Sequence, residues 1–341
     1  MASIAERTSK GSRILRSRRT CLSIPGSSQK MMEKGPSLPV DQFFLDLEDS
    51  VAPNAKAAAR DDVVSALRDQ DWGKKTRVVR VNGCASNWTL RDLDVVVSGA
   101  GHCIDAIMLP KVQAPGQVEF VDRVLQDLEV ESGIDVGQIG LELQIEDASG
   151  LLNLRNILSA SSRIETLILG PGDMAAALGM PSLTQGEKQD GYPGDQWHSI
   201  LMTLLIHARE AGVQAIDGPY ARVHDVEGFR EMAVKSRSLG FDGKWVLHPN
   251  QIAAGNEVFS VTQEAFERAW DMVSAYDDAI GADGGGRGAV MFGDEMIDEA
   301  NRKMAEATIA RGLAQGLEVR PTPADIPFSQ RAEFRTDEEE S

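Results

Sequence analysis

The chain has 341 residues, of which 42% are hydrophobic, 5% aromatic and 26% charged. Its 35 basic and 52 acidic residues give a formal net charge of −17, which argues against nucleic acid as a partner because phosphate binding needs a basic surface. No uncharged apolar run in the sequence approaches the roughly 18 residues that a bilayer crossing needs, so we expect no membrane partner.

The first 19 residues form a basic segment, with six arginines or lysines against the single acid Glu6. We interpret residues 1–19 as a flexible arm that leads into the first strand. An Arg- and Ser-rich start with few acids is also typical of an organellar transit peptide. The three cysteines lack metal-type spacing and indicate a reducing compartment. We therefore predict a cytoplasmic protein, with the mitochondrial matrix as the alternative if the arm is a transit peptide.

Eight short apolar runs alternate with longer segments of helical periodicity along residues 20–280. Several runs, such as IDAIMLP and ETLILG, are almost continuously apolar, which is typical of parallel strands buried on both faces. Eight repeats of strand and helix favour an α/β fold, the (β/α)8 TIM barrel. A doubly wound sheet is the alternative, but the turn IPGSSQK after the first run does not match the expected GxGxxG pattern. The predicted strands are residues 20–24, 42–47, 77–81, 104–109, 140–145, 166–169, 213–216 and 244–247.

The sequence after the predicted strands indicates an appended lid. Residues 262–280 show the pattern of one more helix, with Thr262 as its N-cap. The Gly-rich residues 281–293 are predicted to be a hinge, and residues 294–318 a C-terminal lid helix or subunit contact. The acid-rich residues 319–341 are predicted to be a solvated tail. The apolar stripe of the lid helix is predicted to comprise Ile297, Ala300, Met304 and Ala307.

Two carboxylates end neighbouring predicted strands. Glu146 follows LELQI, and Asp173 follows LILGPG. Barrel enzymes place their chemistry at the C-terminal ends of the strands, so both side chains are expected at the mouth. Two carboxylates with room for water suit Mg²⁺, a hard cation that keeps several waters and accepts substrate oxygens. The alternative is that each residue caps the helix that follows it.

Arg80 lies inside VVRVNG, in a strand that is otherwise apolar. A buried arginine needs a paired anion. One interpretation is a salt bridge to Asp46, Glu48 or Asp49 across the mouth. The other is a fixed cation that binds a substrate carboxylate or a developing enolate oxygen. The two interpretations are compatible, because the acids could orient the guanidinium.

Four further residues have an ordinary structural interpretation when each is considered alone. Asp298 is expected as a surface acid in the first turn of the last helix, where the helix N-terminus favours negative charge. His248, at the end of strand eight, is expected to be a capping or core residue. Lys34 and Lys111 follow strands, and the default for both is a solvated lysine, although Lys34 after the Pro-Gly-Ser turn could meet a phosphate.

Nine stretches of sequence carry a resemblance to a known family. They are IPGSSQKMMEK, FFLDLEDSVAPNAKAAAR, DWGKKTRVVRVNG, IDAIMLPKV, LELQIEDASGL, LILGPGDMAAALGM, AIDGPYARVHDVEGFR, LGFDGKWVLHPNQI and MFGDEMID. In this order, from about Arg16 to Gly312, they resemble the citrate lyase beta-subunit-like family of the HpcH/HpaI aldolase superfamily. The resemblance is strongest to its malyl-CoA and β-methylmalyl-CoA lyase branch.

The resemblance implies a barrel with a C-terminal lid, a Mg²⁺ cofactor with Mn²⁺ as an alternative, and acyl-CoA chemistry. It implies Glu146 and Asp173 as metal ligands. It also implies Arg80 beside the reacting carbonyls and Asp298 as the catalytic acid/base on the lid. Supporting roles around the site are implied for Asp46, Glu48 and Asp49. Substrate or CoA contacts are implied at Ser23, Ile24, Ser28, Lys34, Arg80, Glu146, Gly172, Asp173, Leu247 and His248.

The chain departs from the family pattern in its predicted CoA contacts. Malyl-CoA lyases usually have an aromatic-glycine pair before Pro-Gly-Ser and a basic residue after it, where this chain has Ser23-Ile24 and Ser28. The lid commonly reads Gly-Lys-Met-Ile-Asp, and Glu295 replaces the lysine here. These differences affect the predicted binding of CoA, and hence the identity of the acyl carrier, more than they affect the predicted metal and carbonyl site.

We therefore predict a lyase that reversibly cleaves a 3-hydroxyacyl-CoA, such as malyl-CoA or β-methylmalyl-CoA, into an acyl-CoA and a 2-oxo acid such as glyoxylate. The alternatives are a malyl-CoA thioesterase with malate-synthase-like activity, and a citrate lyase beta-type lyase that acts on citryl-CoA or a citryl carrier protein. A barrel kept only as an interaction scaffold would be expected to lack Glu146, Asp173 or Arg80, and all three are present. The family assembles as trimers or larger rings, so a homotrimer or homohexamer is expected.

Overall fold

The computed structural model describes residues 15–181, 184, 191–281, 288–320, 322 and 326–331. Arg18–Phe259 form one compact unit, and residues from Ser260 onward belong to a second. Much of three predicted segments lies outside the described residues: residues 1–14 of the arm, 282–287 of the hinge and 332–341 of the tail. The predicted domain ranges remain predictions.

The first unit is a closed barrel of eight parallel strands, as the alternation of apolar runs predicts. The strands are β1 Thr20–Pro25, β2 Gln42–Asp46, β3 Thr76–Arg80, β4 Ala106–Leu109, β5 Gly140–Ile145, β6 Ile164–Leu169, β7 Gln214–Asp217 and β8 Gly243–Val246. Each strand pairs with the next, and β8 pairs back onto β1, so the sheet has no open edge. Six of the strands are buried along their whole length, which agrees with the almost continuously apolar runs of strands such as β4 and β6.

Helices follow the strands and pack their apolar faces on the outside of the barrel. The helices are α1 Gln29–Lys34, α2 Lys56–Asp69, α3 Thr89–Ala100, α4 Pro115–Glu131, α5 Ala148–Leu152, α6 Leu154–Ser159, α7 Pro171–Ala177, α8 His198–Ala211, α9 Val226–Leu239 and α10 Ile252–Phe259.

Alternation along the strands decides which side chains enter the barrel. Phe43 and Leu45 of β2 pack in the outer core with the helices, whereas Phe44 belongs to a small cluster inside the barrel. Because side chains alternate with a period of two, Asp46 shares the inner side with Phe44. The same rule on β3 places Arg80 on the inner side with Val78. The last inward-facing positions of β2 and β3 are therefore charged and lie at the barrel mouth.

The opposite end of the barrel is closed by a buried polar cluster around Arg18. The Arg18 Nε donates to Gln42 Oε1 and to Glu142 Oε1, both at 2.9 Å, and the guanidinium also pairs with Glu165. The next residue, Arg19, makes an ion pair with Asp41 at 2.7 Å. The last two residues of the predicted arm are therefore held by the barrel, because their charges satisfy buried or half-buried acids.

The second unit contains helix α11 Gln263–Ile280, the antiparallel strands β9 Ala289–Phe292 and β10 Glu295–Asp298, and helix α12 Glu299–Ala314. Thr262 caps α11 as predicted, since its hydroxyl accepts a hydrogen bond from the backbone N–H of Ala265. None of the helices in the described residues has the length and apolar composition that a membrane crossing needs.

The predicted course of the last helix is wrong at its start and on its buried face. The segment from residue 295 to 298 is a strand paired with β9, so the helix begins at Glu299 rather than at residue 294. Met304 of the predicted apolar stripe is 64% exposed, whereas Ala305, Ile309 and Gly312 are buried. The reason is close packing: a Cβ at Gly312 would lie 2.2 Å from the Phe266 ring. The contact face of this helix therefore combines the small residues Ala305 and Gly312 with the larger Ile309.

Replacing Arg18 with methionine should strongly destabilise the barrel unit. The substitution leaves Glu142 and Glu165 buried without their cation, and breaking a buried ion pair in this way costs about 3–5 kcal/mol. The free energy of unfolding in urea measures the loss. Arg91→Met is the matched control, because the Arg91–Asp94 pair is exposed and pairs of that kind contribute about 1 kcal/mol or less. Equal losses in the two variants would contradict a structural role for the Arg18 cluster.

Candidate active site

Two adjoining cavities open at the C-terminal ends of the strands, and Asp49 and Asp173 line both. The smaller cavity has a volume of about 180 Å³, and its wall includes Ser23, Asp46, Arg80, Gln144, Gly172, Trp245 and Leu247. The larger cavity has a volume of about 810 Å³, and its wall includes Glu48, Lys56, Asn82, Trp88, Lys111, Gln117 and Glu146. The two cavities together bring polar residues from most of the strand ends to one mouth.

Arg80 is held by Asp46 on the neighbouring strand. The two residues are register partners, and the Arg80 Nε and Nη2 donate to the two Asp46 carboxylate oxygens at 2.7 Å each. Burial opposes the charged form, but the Asp46 carboxylate outweighs it and raises the pKa of Arg80. The guanidinium also lies 5.0 Å from the centre of the Trp245 ring. This bidentate pair fixes the plane of the guanidinium and leaves Nη1 as the donor that faces other groups.

A second group of charges lies beside Arg80, on the loops after β2 and β4. Glu48 Oε2 is 3.4 Å from Arg80 Nη1, and Glu48 Oε1 is 2.5 Å from Lys111 Nζ. The Lys111 Nζ also donates to Asp49 Oδ2 at 3.0 Å. Burial raises the pKa of the Glu48 carboxyl, against the opposing effects of Arg80 and Lys111. The predicted salt bridge to Arg80 therefore involves Asp46 directly and Glu48 at longer range, while Asp49 pairs with Lys111.

Glu146 and Asp173 lie next to each other at the mouth, after the neighbouring strands β5 and β6. Glu146 is buried directly after β5, and Asp173 lies in the first turn of α7. Gly170 makes the approach of Glu146 possible, because a Cβ there would lie 2.5 Å from the Glu146 Cγ. Burial, followed by the adjacent Asp173 carboxylate, raises the pKa of Glu146 to about 9. In the described residues the Glu146 Oε1 is buried without a hydrogen-bond partner.

These two carboxylates have the chemistry of a hard-cation site. A buried oxygen without a donor, next to a second carboxylate, is costly unless a cation or a proton compensates the charge. Within the described parts of the chain, no group of three or more His, Cys, Asp or Glu side chains converges on a metal position. A pair of carboxylates suits Mg²⁺, which commonly takes one or two protein carboxylates and keeps water and substrate oxygens as its other ligands.

The predicted substrate contacts are only partly brought together. Ser23, Gly172 and Leu247 line the smaller cavity with Arg80 and Asp173. The Ile24 side chain is instead buried in the outer core, against Gly35. Ser28 and Lys34 lie at the two ends of α1. His248 is a capping residue, since its Nδ1 accepts a hydrogen bond from the backbone N–H of Asn250 at 3.2 Å. None of these last four residues lines either cavity.

Asp298 belongs to the second unit, where it caps α12. Its Oδ1 accepts hydrogen bonds from the backbone N–H groups of Ala300 and Asn301, at 2.8 and 3.2 Å. The ordinary interpretation of an acid favoured by a helix N-terminus therefore describes its local contacts. The residue is exposed on its own unit, and its catalytic role stays a prediction.

Several residues at the mouth were not predicted from the sequence. Gln144 accepts a hydrogen bond from Arg80 Nη1 at 3.3 Å, and Trp245 lies against the same guanidinium. Lys56 is buried and donates to Asn82 Oδ1 at 2.7 Å and to two carbonyls of the loop after β2. Gln144 had a usable signal, because it is a polar residue in an otherwise apolar run, as Arg80 is. Lys56 had none, since a lysine near a helix start is usually solvated.

The model of the family described as HpcH/HpaI aldolase/citrate lyase matches residues 19–249. The matched range covers the barrel with all of its strands and the loops that form both cavities.

Individual relatives extend this similarity to most of the chain. An L-malyl-CoA/beta-methylmalyl-CoA lyase of Cereibacter sphaeroides is 35% identical over 294 residues, which cover 84% of this chain and 91% of that protein. A (3S)-malyl-CoA thioesterase of Cereibacter sphaeroides is 31% identical over 296 residues, covering 87% and 95%. A crystal structure of the protein CitE from Mycobacterium tuberculosis, in complex with magnesium, acetoacetate and coenzyme A, superposes with a TM-score of 0.63 at 25% identity, covering 86% of this chain and 97% of CitE.

Metal-free protein should lose stability as the pH rises, because of Glu146. Its folded pKa of about 9 lies above its ordinary value of 4.5, so the folded state keeps a proton that the unfolded chain releases. The stabilisation is complete below the unfolded pKa and is lost as the pH rises to about 9. Relative to Glu146→Gln, the free energy of unfolding in EDTA should fall by up to about 1.4 kcal/mol per pH unit between these values.

Urea unfolding across this pH range measures the difference, with Glu119→Gln at an exposed helix position as the control. A difference between wild type and Glu146→Gln that stays constant with pH would show that Glu146 is ionised in the folded protein.

Proposed function

The chain belongs to the HpcH/HpaI aldolase/citrate lyase family, and on that premise we propose that it is a Mg²⁺-dependent carbon–carbon lyase. Its substrate is a 3-hydroxyacyl-CoA that carries a carboxylate, such as malyl-CoA or β-methylmalyl-CoA. Its products are an acyl-CoA and a 2-oxo acid such as glyoxylate. The observation that supports the proposal most is the buried Glu146 carboxyl group, whose Oε1 has no hydrogen-bond partner and which lies beside Asp173 near a fixed Arg80.

Glu146 and Asp173 are the residues proposed to hold the metal, with Mn²⁺ as an alternative to Mg²⁺. A bound divalent cation acts as a Lewis acid that polarises a carbonyl oxygen. Structures of CitE from Mycobacterium tuberculosis with magnesium support this choice of cation. Because the pKa of Glu146 is raised to about 9 without metal, binding of the cation by this carboxyl group would release a proton.

Arg80 is proposed to bind the oxygen on which negative charge develops. In the condensation direction, loss of a proton from the methyl group of acetyl-CoA, or from the corresponding methylene group of propionyl-CoA, leaves an enolate whose thioester oxygen is negative. Arg80 presents Nη1 from a guanidinium that Asp46 has already oriented, so the donor needs no reorganisation as the charge forms. The centres of the Phe44 and Trp245 rings lie 5.8 and 5.0 Å from the guanidinium. The two rings therefore exclude water from part of its surroundings.

Asp298 is proposed as the base that accepts the methyl proton, and this assignment follows from the family resemblance. The enolate carbon then forms a bond to the carbonyl carbon of the 2-oxo acid, and the resulting alkoxide takes up a proton. Cleavage runs through the same steps in reverse. The Asp298 side chain is exposed on its own unit, which suits a base that is carried by a lid.

Two other outcomes use the same residues. The relative named as a (3S)-malyl-CoA thioesterase favours hydrolysis of the thioester, which yields free malate and CoA. A citrate lyase beta-type reaction on citryl-CoA or a citryl carrier protein is the other candidate. We also propose that the protein assembles as a homotrimer or homohexamer and acts in the cytoplasm, with the mitochondrial matrix as the alternative location.

The proposed activity is tested by incubating the protein with malyl-CoA, β-methylmalyl-CoA or citryl-CoA in the presence of Mg²⁺. Release of glyoxylate with equimolar acetyl-CoA or propionyl-CoA supports the lyase, whereas free malate with CoA supports the thioesterase. EDTA should abolish the activity, and Asp173→Asn should weaken Mg²⁺ binding, measured by calorimetry, at least about tenfold because one of two carboxylates is lost. Full activity in EDTA would contradict the metal-dependent mechanism.

Two variants should separate the roles of Arg80 and Asp298. Arg80→Lys keeps the charge but loses the planar fork, and we expect turnover to fall by on the order of 10²-fold or more. Asp298→Asn should abolish turnover while binding of CoA and Mg²⁺ is largely unchanged. A Lys variant within about threefold of wild type would make Arg80 a structural ion pair only.

Mixing Asp298→Asn subunits with Arg80→Ala subunits tests where the lid acts. If Asp298 serves a neighbouring subunit, mixed oligomers should regain activity that neither parent has. No recovery after verified subunit exchange would place Asp298 over its own barrel.

A further inference from the structure

Lys111 has an unusual backbone conformation for its residue type. Its φ of 55° lies in the left-handed region, and among the described residues it is the one non-glycine with a positive φ. This conformation costs an L-residue roughly 1–2 kcal/mol. The following backbone holds it, since the N–H of Val112 donates to the carbonyl of Gln144 at 3.2 Å. Such strain at an active-site mouth invites a functional explanation.

The strained backbone directs the Lys111 side chain into an alternating row of charges. The row runs Asp46, Arg80, Glu48, Lys111, Asp49, with each residue within ion-pair distance of the next. Its members come from the ends of β2 and β3 and from the loops after β2 and β4. Glu48 is the central member, because it lies between the two cations.

Glu48 is held much more closely by Lys111 than by Arg80. Its Oε1 lies 2.5 Å from Lys111 Nζ, and its Oε2 accepts the backbone N–H of Asp49 at 2.9 Å. The distance from Oε2 to Arg80 Nη1 is 3.4 Å, beyond a good charge-assisted hydrogen bond. Asp46 accepts from Nε and Nη2 at 2.7 Å and Gln144 accepts from Nη1 at 3.3 Å, so the second N–H of Nη1 is the donor that Glu48 and a substrate oxygen would compete for.

We propose that Lys111 is a positioning residue that acts through Glu48: it holds the Glu48 carboxylate back so that Nη1 of Arg80 is available to the substrate oxygen. The proposal rests on the function proposed above for Arg80. Without the ammonium group, Glu48 would be a buried carboxylate without its strongest partner, and the nearest cation would be Arg80. A closed Glu48–Arg80 pair would occupy the donor on which turnover depends.

A double-mutant cycle on turnover tests the proposal. Lys111→Met keeps the Cβ and the length of the side chain, so the cost of the positive φ is unchanged. We expect it to lower kcat at least about tenfold, part of the 10²–10³-fold that loss of a whole oxyanion donor costs, with a smaller change in KM. In a Glu48→Gln background, which cannot form the competing ion pair, the same change should lower kcat less than about threefold. Lys111→Arg should retain most of the activity.

A crystal structure of the Lys111→Met variant provides a readout that does not need activity. We expect Glu48 Oε2 to move within about 2.9 Å of Arg80 Nη1. Glu48 in its original position, or equal losses from Lys111→Met in both backgrounds, would overturn the proposal. Lys74→Met is the matched control, because Lys74 is an exposed lysine before β3 at the opposite end of the barrel. A wild-type protein without lyase activity would refute the proposed function, while the crystal structure would still decide whether Lys111 restrains Glu48.

Discussion

The pairing of Arg80 with Asp46 is the interaction on which the rest of the site depends. Both residues occupy the last inward-facing position of adjacent parallel strands, so barrel closure places a cation and an anion side by side. The bidentate geometry leaves the guanidinium one free direction of approach, toward the mouth. An arginine at this depth is tolerated because its partner is equally buried, and the pair then serves as a rigid base for the more exposed charges above it.

Negative charge exceeds positive charge at the mouth, and this excess explains much of the local chemistry. Six carboxylates but only three cationic side chains line the two cavities. At Glu146, burial first and the neighbouring Asp173 carboxylate second raise the pKa to about 9, so the carboxyl group keeps a proton at neutral pH. A divalent cation would remove the imbalance and release that proton, which is why the proposed metal and the raised pKa are two aspects of one constraint. The same excess of negative charge explains the proposed role of Lys111. Its ammonium group pairs with acids that would otherwise pair with Arg80.

Much of the barrel and part of the site could be predicted from local sequence. The prediction of eight barrel strands is confirmed, because strands that are buried on both faces tend to have apolar sequences. Arg80 stood out since a charge in such a run demands a partner, and its pairing with Asp46 is confirmed. The last helix was predicted less well, because Ile297 continues an apolar pattern that a strand and a helix share over a few residues. Its contact face depends on Gly312 fitting the Phe266 ring, which no periodicity reveals.

The sequence by itself determined the alternation of strands and helices, the family and the residue types at the strand ends, because these follow from patterns within a few residues. Only the tertiary structure decided which of those residues meet. The sequence predicts a solvated Lys111, but its left-handed backbone conformation directs the side chain into an ion pair with Glu48. His248 and Ile24 lie at strand ends as expected, but one caps a turn and the other enters the core. Such outcomes depend on side-chain direction and on contacts between residues far apart in the chain, which sequence spacing does not encode.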